Sequence, residues 1–563
     1  MSIPLITVIF LGTLALGYRF YGRFVERKYS LDEELPTPAV TINDGQDFTP
    51  TKPFYLMGQH FSAIAAAGPI AGPIIASQQF GWLPCLLWIG LGAIFIGAMH
   101  DYSTLIASVR HQGRSIAEII RHRLGNRAWY AMMLFIWIAL LYVILAFTDI
   151  TASTFIGKSE ELEGGSFTFN AGGAVAAAST AYLLLAILMG VVQKKWNPPL
   201  FWQTVIFVPA SLAVVWLGTK ISTLLILDAK TWSLLILAYC FVASLLPLWL
   251  LLQPRGYLGG FILYIALATG VIGLFFGGYP IQQKAFITWN TPGVLSGSLF
   301  PFLFVTIACG ACSGFHGLVA SGTTSKQIAR EAHCRPVGYG SMLLEGLIAL
   351  IALATVMIAV PSTLTGLAPG KIYGNGIGRF LTILIGEKNY HFAATFGAMA
   401  FSTFVFDTLD VATRLGRYIL QELFSLEGRK GAIIATAITI LPPGLLLLFS
   451  HEGAYKLFWT LFGTSNQLLA GLSLLGISIW LKMSGRSSWF AVIPMLFVMT
   501  ITLWSLSIQT SWAFKNLTRE GFAFSTTLMN GLICLILILL AALMIVEALR
   551  AKNQHVAVPD RHP

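Results

Sequence analysis

The chain has 563 residues, of which 56% are hydrophobic and only 10% charged, with 35 Lys and Arg against 24 Asp and Glu. A soluble domain carries about a quarter charged residues, so a soluble multidomain enzyme is excluded. The formal charge of +11 has no basic stripe with interleaved aromatics behind it, so no nucleic-acid partner is expected; cytoplasmic loops of a membrane protein collect Lys and Arg instead.

The opening residues, MSIPLITVIFLGTLALGYRFYGRFVERK, lack a basic start and a small-residue cleavage site. They read as a retained helix rather than a signal peptide. From there on, apolar runs of roughly 20 residues recur, each long enough to cross a bilayer core as a helix. About 15 are expected, near residues 3–20, 57–80, 83–109, 128–150, 171–193, 199–219, 232–253, 258–279, 298–320, 338–361, 391–415, 432–450, 453–481, 488–510 and 526–549. The fold class is therefore an all-α polytopic membrane protein.

Basic residues fall on alternate loops. Arg19, Arg23, Arg27 and Lys28 follow the first segment; Arg110, Arg114, Arg121, Arg123 and Arg127 share one later loop. Lys326, Arg330 and Arg335, and then Arg429 and Lys430, occupy others on the same side. Short loops rich in Lys and Arg stay inside, so the N-terminus is expected outside and the tail after Arg550 inside, with Glu160–Glu163 outside.

Two segments depart from a plain spanning helix. Residues 57–80 contain Gly68-Pro69 and Gly72-Pro73 at mid-depth; residues 298–320 contain Gly310, Ser313, Gly314 and Gly317. Proline removes a backbone donor, and unsatisfied backbone survives in a membrane only when buried in protein or lining a cavity. Gly/Pro-interrupted segments at matching places in two halves point to a transporter binding site. The expected organisation is residues 1–56 as an N-terminal helix and loop, 57–219 and 298–481 as two inverted five-segment repeats, 220–297 as two inserted helices, and 482–563 as two C-terminal helices and a tail. Gly68–Gly72 and Gly310–Gly314 are expected to be non-helical and to face one another. Ile377–Ile385 is too short to span and suits a re-entrant gate.

Ionisable residues within spans are functional candidates because hydrocarbon burial is costly. His60 opens the first interrupted segment; Cys309, Cys312 and His316 share one face of the second. They suit a substrate carboxylate, a proton relay or packing; a metal site is also conceivable, although two Cys and one His on one helix signal it weakly. The substrate set is His60, Gly68, Gly72, Cys309, Gly310, Ser313, Gly314 and His316. Glu345 and Asp407, the deepest carboxylates by segment position, are the coupling candidates. Ser402 and Thr403 offer neutral oxygens for sodium. Asp410 is expected to pair with Arg414 four residues on. His100 and Asp101 are placed near the inner interface, in a structural role. Asn466 and Gln467 offer hydrogen bonds, to a ligand or between helices. No nucleotide-binding G-x-x-x-x-G-K-[ST] loop and no H-E-x-x-H signature is present, and no cofactor or resident metal is expected.

Five blocks carry a resemblance: DGQDFTPTKPFYLMGQHFSAIAAAGPIAGPIIASQ (44–78), FPFLFVTIACGACSGFHGLVASGTTSKQIA (300–329), MLLEGLIALIAL (342–353), TLDVATRLGRYI (408–419) and LFGTSNQLLAG (461–471). From about residue 20 to 480 the chain resembles the carbon starvation protein A family, departing from its pattern at Gln59 and Cys312. The resemblance implies an inner-membrane protein with a LeuT-like inverted repeat that takes up peptides or pyruvate, coupled to H+ or Na+ and with lipid as its surroundings. A transporter-like nutrient sensor and a channel are the rival readings.

Overall fold

The computed structural model describes residues 2–31, 35–44, 47–65, 67–161, 168–291, 295–450, 455–520 and 526–553. The start of the segment expected at 453, the end of the acidic stretch Glu160–Glu163 and the tail beyond Asn553 lie outside them.

Helices α1 (Ile3–Tyr29), α4 (Trp82–Arg110), α6 (Asn126–Phe155), α7 (Ala171–Trp196), α8 (Leu200–Lys220) and α10 (Leu252–Phe276) are each long and apolar enough to cross a membrane. So are α13 (Ser341–Met357 with the irregular turns before it), α15 (Tyr390–Leu423), α16 (Gly428–Phe449), α17 (Tyr455–Met483), α18 (Trp489–Glu520) and α19 (Thr526–Asn553). Among the described residues these make 12, or 13 with the bent pair α2 (Pro53–Ile64) and α3 (Gly68–Phe80). The remaining two of the fifteen expected segments are α9 (Ala229–Leu245), short at 17 residues, and the broken pair α11 (Leu299–Thr306) and α12 (Gly314–Gly322). Neither is long enough alone to count as a span, which reconciles the two totals. Lesser elements are α5 (Ile116–Leu124), α14 (Pro369–Ile385) and a small hairpin pairing Ser159–Glu161 with Thr168–Asn170.

Local chemistry sets several ends. Ser115 accepts from Glu118 N to start α5, and Asn170 accepts from Gly173 N to start α7. Asp228 accepts from the amides of Lys230 and Thr231 at α9. Each satisfies donors that a first helical turn leaves free.

Both expected breaks exist, and the first is displaced. Between α2 and α3 the chain bends by 47°, but the interruption lies between Ile64 and Gly68, and Gly68–Gly72 is helical. The reason is that proline is tolerated at the first turn of a helix, where its missing N–H has no partner to lose. Gly68-Pro69 therefore starts α3 instead of interrupting a longer helix. The second break, residues 307–313, takes in residues 310–313 of the expected Gly310–Gly314, while Gly314 already opens α12. Between the two broken spans lie the five spans α4, α6, α7, α8 and α10 and the shorter α9. The stretch Ile377–Ile385 is the latter part of α14, which begins at Pro369 and packs against α10 and α15.

Candidate functional site

The two breaks meet. A Cβ placed on Gly68 would lie 2.3 Å from Cys309 Sγ, and one on Gly72 would lie 2.7 Å from the Thr306 carbonyl oxygen and 3.3 Å from Ile307 Cα. On the other side, a Cβ at Gly310 would sit 3.7 Å from Pro69 Cα. Gly314 is closed in by α17, with Asn466 O and Ala470 N each 2.5 Å from its notional Cβ. Only glycine lets the backbones come this close.

Breaking a helix in hydrocarbon leaves carbonyls that need partners. At the end of α11 these are supplied by side chains from elsewhere. Trp88 Nε1 donates to Phe304 O at 3.2 Å and Ile307 O at 3.1 Å, Trp459 Nε1 donates to Thr306 O at 3.0 Å, and Gln467 Nε2 to Phe304 O at 2.8 Å. Asn466 Oδ1 accepts from Phe315 N at 2.9 Å, while its Nδ2 donates to Ser313 Oγ at 3.0 Å and to Cys309 Sγ at 3.3 Å. Asn466 and Gln467 thus brace the second break.

One turn into α12, His316 joins carboxylates from two other helices. Its Nδ1 is 2.9 Å from Asp101 Oδ2 on α4, and its Nε2 is 3.1 Å from Glu345 Oε2 on α13. The second contact is at ion-pair distance without hydrogen-bond alignment, so both atoms remain free of a hydrogen-bond partner. Asp101 Oδ1 is also 2.8 Å from His100 Nδ1. Glu345, His316, Asp101 and His100 form one continuous row, at most 1% exposed. The expectation for Asp101 and His100 is corrected: both are fully buried and reach no interface. His60, on α2, bonds through Nδ1 to Thr324 Oγ1 at 2.9 Å, and its Nε2 has no partner. Among the described residues no three of His, Cys, Asp and Glu converge to hold a metal ion.

The second carboxylate cluster differs from its expected arrangement. Arg255, buried at the start of α10, donates from Nε to Asp407 Oδ1 at 2.7 Å and also pairs with Asp410. Tyr239 OH on α9 donates to Asp410 Oδ2 at 2.9 Å. Arg414 does not neutralise Asp410 as expected; its Nη2 donates to the carbonyls of Ala243 and Leu246. Asp407 accordingly has a fixed cation, although 27% of its side chain stays exposed. Ser402 Oγ donates to Ala398 O in its own helix, and Thr403 Oγ1 is buried without a partner. Glycines bring this cluster near the first broken span. A Cβ on Gly259 would lie 2.9 Å from Asp407 Oδ2, and one on neighbouring Gly260 would lie 3.9 Å from Ser62 Oγ on α2.

Known proteins share about a third of this sequence. The model of the carbon starvation protein CstA family matches residues 2–375 and 362–505. This chain belongs to that family. Among CstA relatives, the peptide transporter CstA of Bacillus subtilis is 32% identical, over 98% of this chain and 97% of its own. That of Campylobacter jejuni is 33% identical over 87% of this chain and 78% of its own. The pyruvate/proton symporter BtsT of Escherichia coli is 30% identical over 92% and 83%. A solved manganese transporter of Eremococcus coleocola overlays 88% of the chain and 95% of its own at 16% identity and a TM-score of 0.44, too loosely to carry an argument. The chain is a multi-pass membrane protein whose named relatives are transporters.

Proposed function

We propose that this CstA-family chain imports a small carboxylate-bearing solute, a peptide or pyruvate, by alternating access coupled to proton entry. The observation that carries the reading is the buried Glu345–His316 contact, placed one turn from the second break. A carboxylate and an imidazole 3.1 Å apart need only a small rotation to pass one proton between them, and burial in the membrane makes both costly to leave charged alone. Of the two candidate coupling carboxylates, Glu345 is the better one, because Asp407 is held by Arg255.

The solute lies against the two breaks, near His60, Gly68, Gly72, Cys309, Gly310, Ser313 and Gly314. Helix starts at Gly68 and Gly314 present amide N–H groups and the positive end of the helix dipole, which suit the carboxylate that peptides and pyruvate have in common. Asn466 ties Ser313 and the Phe315 amide together immediately before His316. Protonation of the Glu345–His316 pair when solute is bound neutralises the centre and lets the broken spans change their packing. The named activity of the Escherichia coli relative favours protons over sodium at this site.

The protein sits in the plasma membrane, N-terminus outside and C-terminus inside. Purified protein in liposomes preloaded with unlabelled pyruvate or dialanine tests the substrate class. Saturable counterflow of labelled pyruvate or of the dipeptide is expected. Leakage that neither saturates nor exchanges would indicate a channel and reject the proposal.

A further inference from the structure

The row Glu345–His316–Asp101–His100 stops at a ring nitrogen, His100 Nε2, that has no partner. What lies beyond it is a file of hydroxyls. On α4, His100, Thr104 and Ser108 follow one another at four-residue spacing, so they line one face. On α12 and the turn after it, Gly317, Ser321 and Ser325 keep the same spacing and pack against that face. A Cβ at Gly317 would lie 3.3 Å from His100 Nε2 and 3.4 Å from Thr104 Cγ2, so glycine leaves His100 and Thr104 side by side. Thr104 Oγ1 is buried and unpartnered as well. Further along, Ser108 Oγ is 2.8 Å from Ser325 Oγ, 3.2 Å from Ser321 O and 2.7 Å from Arg114 O. Ser321 Oγ accepts from Ile116 N at 3.1 Å. Ser108 meets the carbonyl of Arg114, an exposed residue, and two residues past Ser108 Arg110 donates to both carboxylate oxygens of Glu331, at 2.7 and 2.8 Å.

From this geometry we propose that the seam between α4 and α12 is the proton's exit to the arginine-bearing face, with Thr104 and Ser108 as its stepping stones. The inference rests on the proton-coupled reading and adds the route. The residues around the seam are small or hydroxylated over three successive turns, whereas helix packing alone would be served by alanine or glycine. His100 Nε2 and Thr104 Oγ1, on residues one helical turn apart and both buried without partners, each cost free energy unless something hydrogen-bonds to them.

A proton taken up by Glu345 passes to His316 Nε2. His316 gives up the proton on Nδ1 to Asp101, which is bonded to both rings and hands one on to His100 Nδ1. His100 then releases one from Nε2 toward Thr104 Oγ1. Residues four apart on a helix are about 5–6 Å apart at Cβ, a gap that one water spans, so Thr104 relays to Ser108 and Ser108 to the surface. One proton enters at Glu345 and one leaves past Ser108; His316 and His100 are each left as the other tautomer, so both rings and the Asp101 carboxyl turn back before the next proton passes. The charged and titratable groups around the seam are Asp101 and Arg110 on α4, His316 on α12, Glu345 on α13, His60 on α2, and Glu331 at the mouth.

The test uses the whole protein in liposomes loaded with a pH dye, with pyruvate or dialanine added outside and counterflow measured in parallel. Thr104→Val keeps the shape and removes the hydroxyl; Ser108→Ala does the same one turn on. Each should slow substrate-driven acidification about a hundredfold, the lower end of what a lost proton-transfer group costs, while counterflow, which needs no proton release, persists. Thr104→Ser should restore the wild-type rate, and the slowed variants should show a larger solvent isotope effect. Unchanged acidification in both Thr104→Val and Ser108→Ala would overturn the route and leave the coupling reading standing. Absence of acidification by the wild type would sink the coupling reading itself, and the route with it. If Thr104→Val fails to fold and shows no counterflow, Ser108→Ala and Ser325→Ala carry the same test.

Discussion

Arg255 shows most clearly what spacing conceals. Asp410 and Arg414 are four residues apart on one helix, which is the spacing of a local ion pair. The cation that pairs with both aspartates comes from α10, 152 residues from Asp407 in sequence, and no local pattern announces it. The consequence is measurable. Removing one member of a buried pair leaves an uncompensated charge, at a cost of about 3–5 kcal/mol. Arg255→Met should therefore lower the thermal unfolding midpoint of the purified protein strongly. A double-mutant cycle should show large coupling between Arg255 and Asp410 and little between Arg414 and Asp410; the reverse pattern would mean that the local pair is the real one. Asp101 was hidden in the same way. Its place near a span end suggested solvent, yet two histidines, one from another helix, enclose it. Glu345 and His316 were legible singly, because a titratable group in an apolar run stands out on its own. Their contact was not, since it joins two helices.

At the scale of elements, glycine and proline carried the most readable signal. They act on the backbone where they stand, so both breaks could be placed from sequence, one over residues 310–313 and one three residues late because Gly68-Pro69 opens a helix. Of the side chains that satisfy the broken backbone, Gln467 stood out in sequence as a hydrogen-bonding group within a span, whereas Trp88 and Trp459, on remote helices, did not. The contact of the two breaks gives an asymmetric prediction. Gly68→Ala places a methyl against the Cys309 side chain and should cut uptake by about tenfold or more, since misplacement by 1 Å can cost a hundredfold in a positioned site. Adding Cys309→Gly removes the obstructing atoms and should recover much of the loss. Gly72→Ala meets the Thr306 carbonyl of the backbone, so the same second change should not help it. Surface abundance measured alongside uptake separates these effects from misfolding; equal recovery of both variants would show that the breaks do not touch as described.

For the whole molecule, hydropathy and loop charge yielded an all-helical membrane protein with fifteen helical segments, two of them broken. The short α9 and the broken α11–α12 are the segments a length criterion alone overlooks. The basic loops predict the orientation: in intact cells, an impermeant thiol reagent should label a cysteine at Lys388 and spare one at Arg429, both exposed, one just before α15 and one in the first turn of α16. The six native cysteines are buried and should contribute little background. The central claim is that Glu345, in contact with His316, ties solute movement to the proton gradient. Glu345→Gln preserves the shape of the side chain and removes its titration. In liposomes with an imposed inward proton gradient, wild-type protein should concentrate the substrate that it exchanges, and Glu345→Gln should still exchange that substrate yet come only to equal concentrations on the two sides. Uphill accumulation by Glu345→Gln at the wild-type rate and extent would contradict the account.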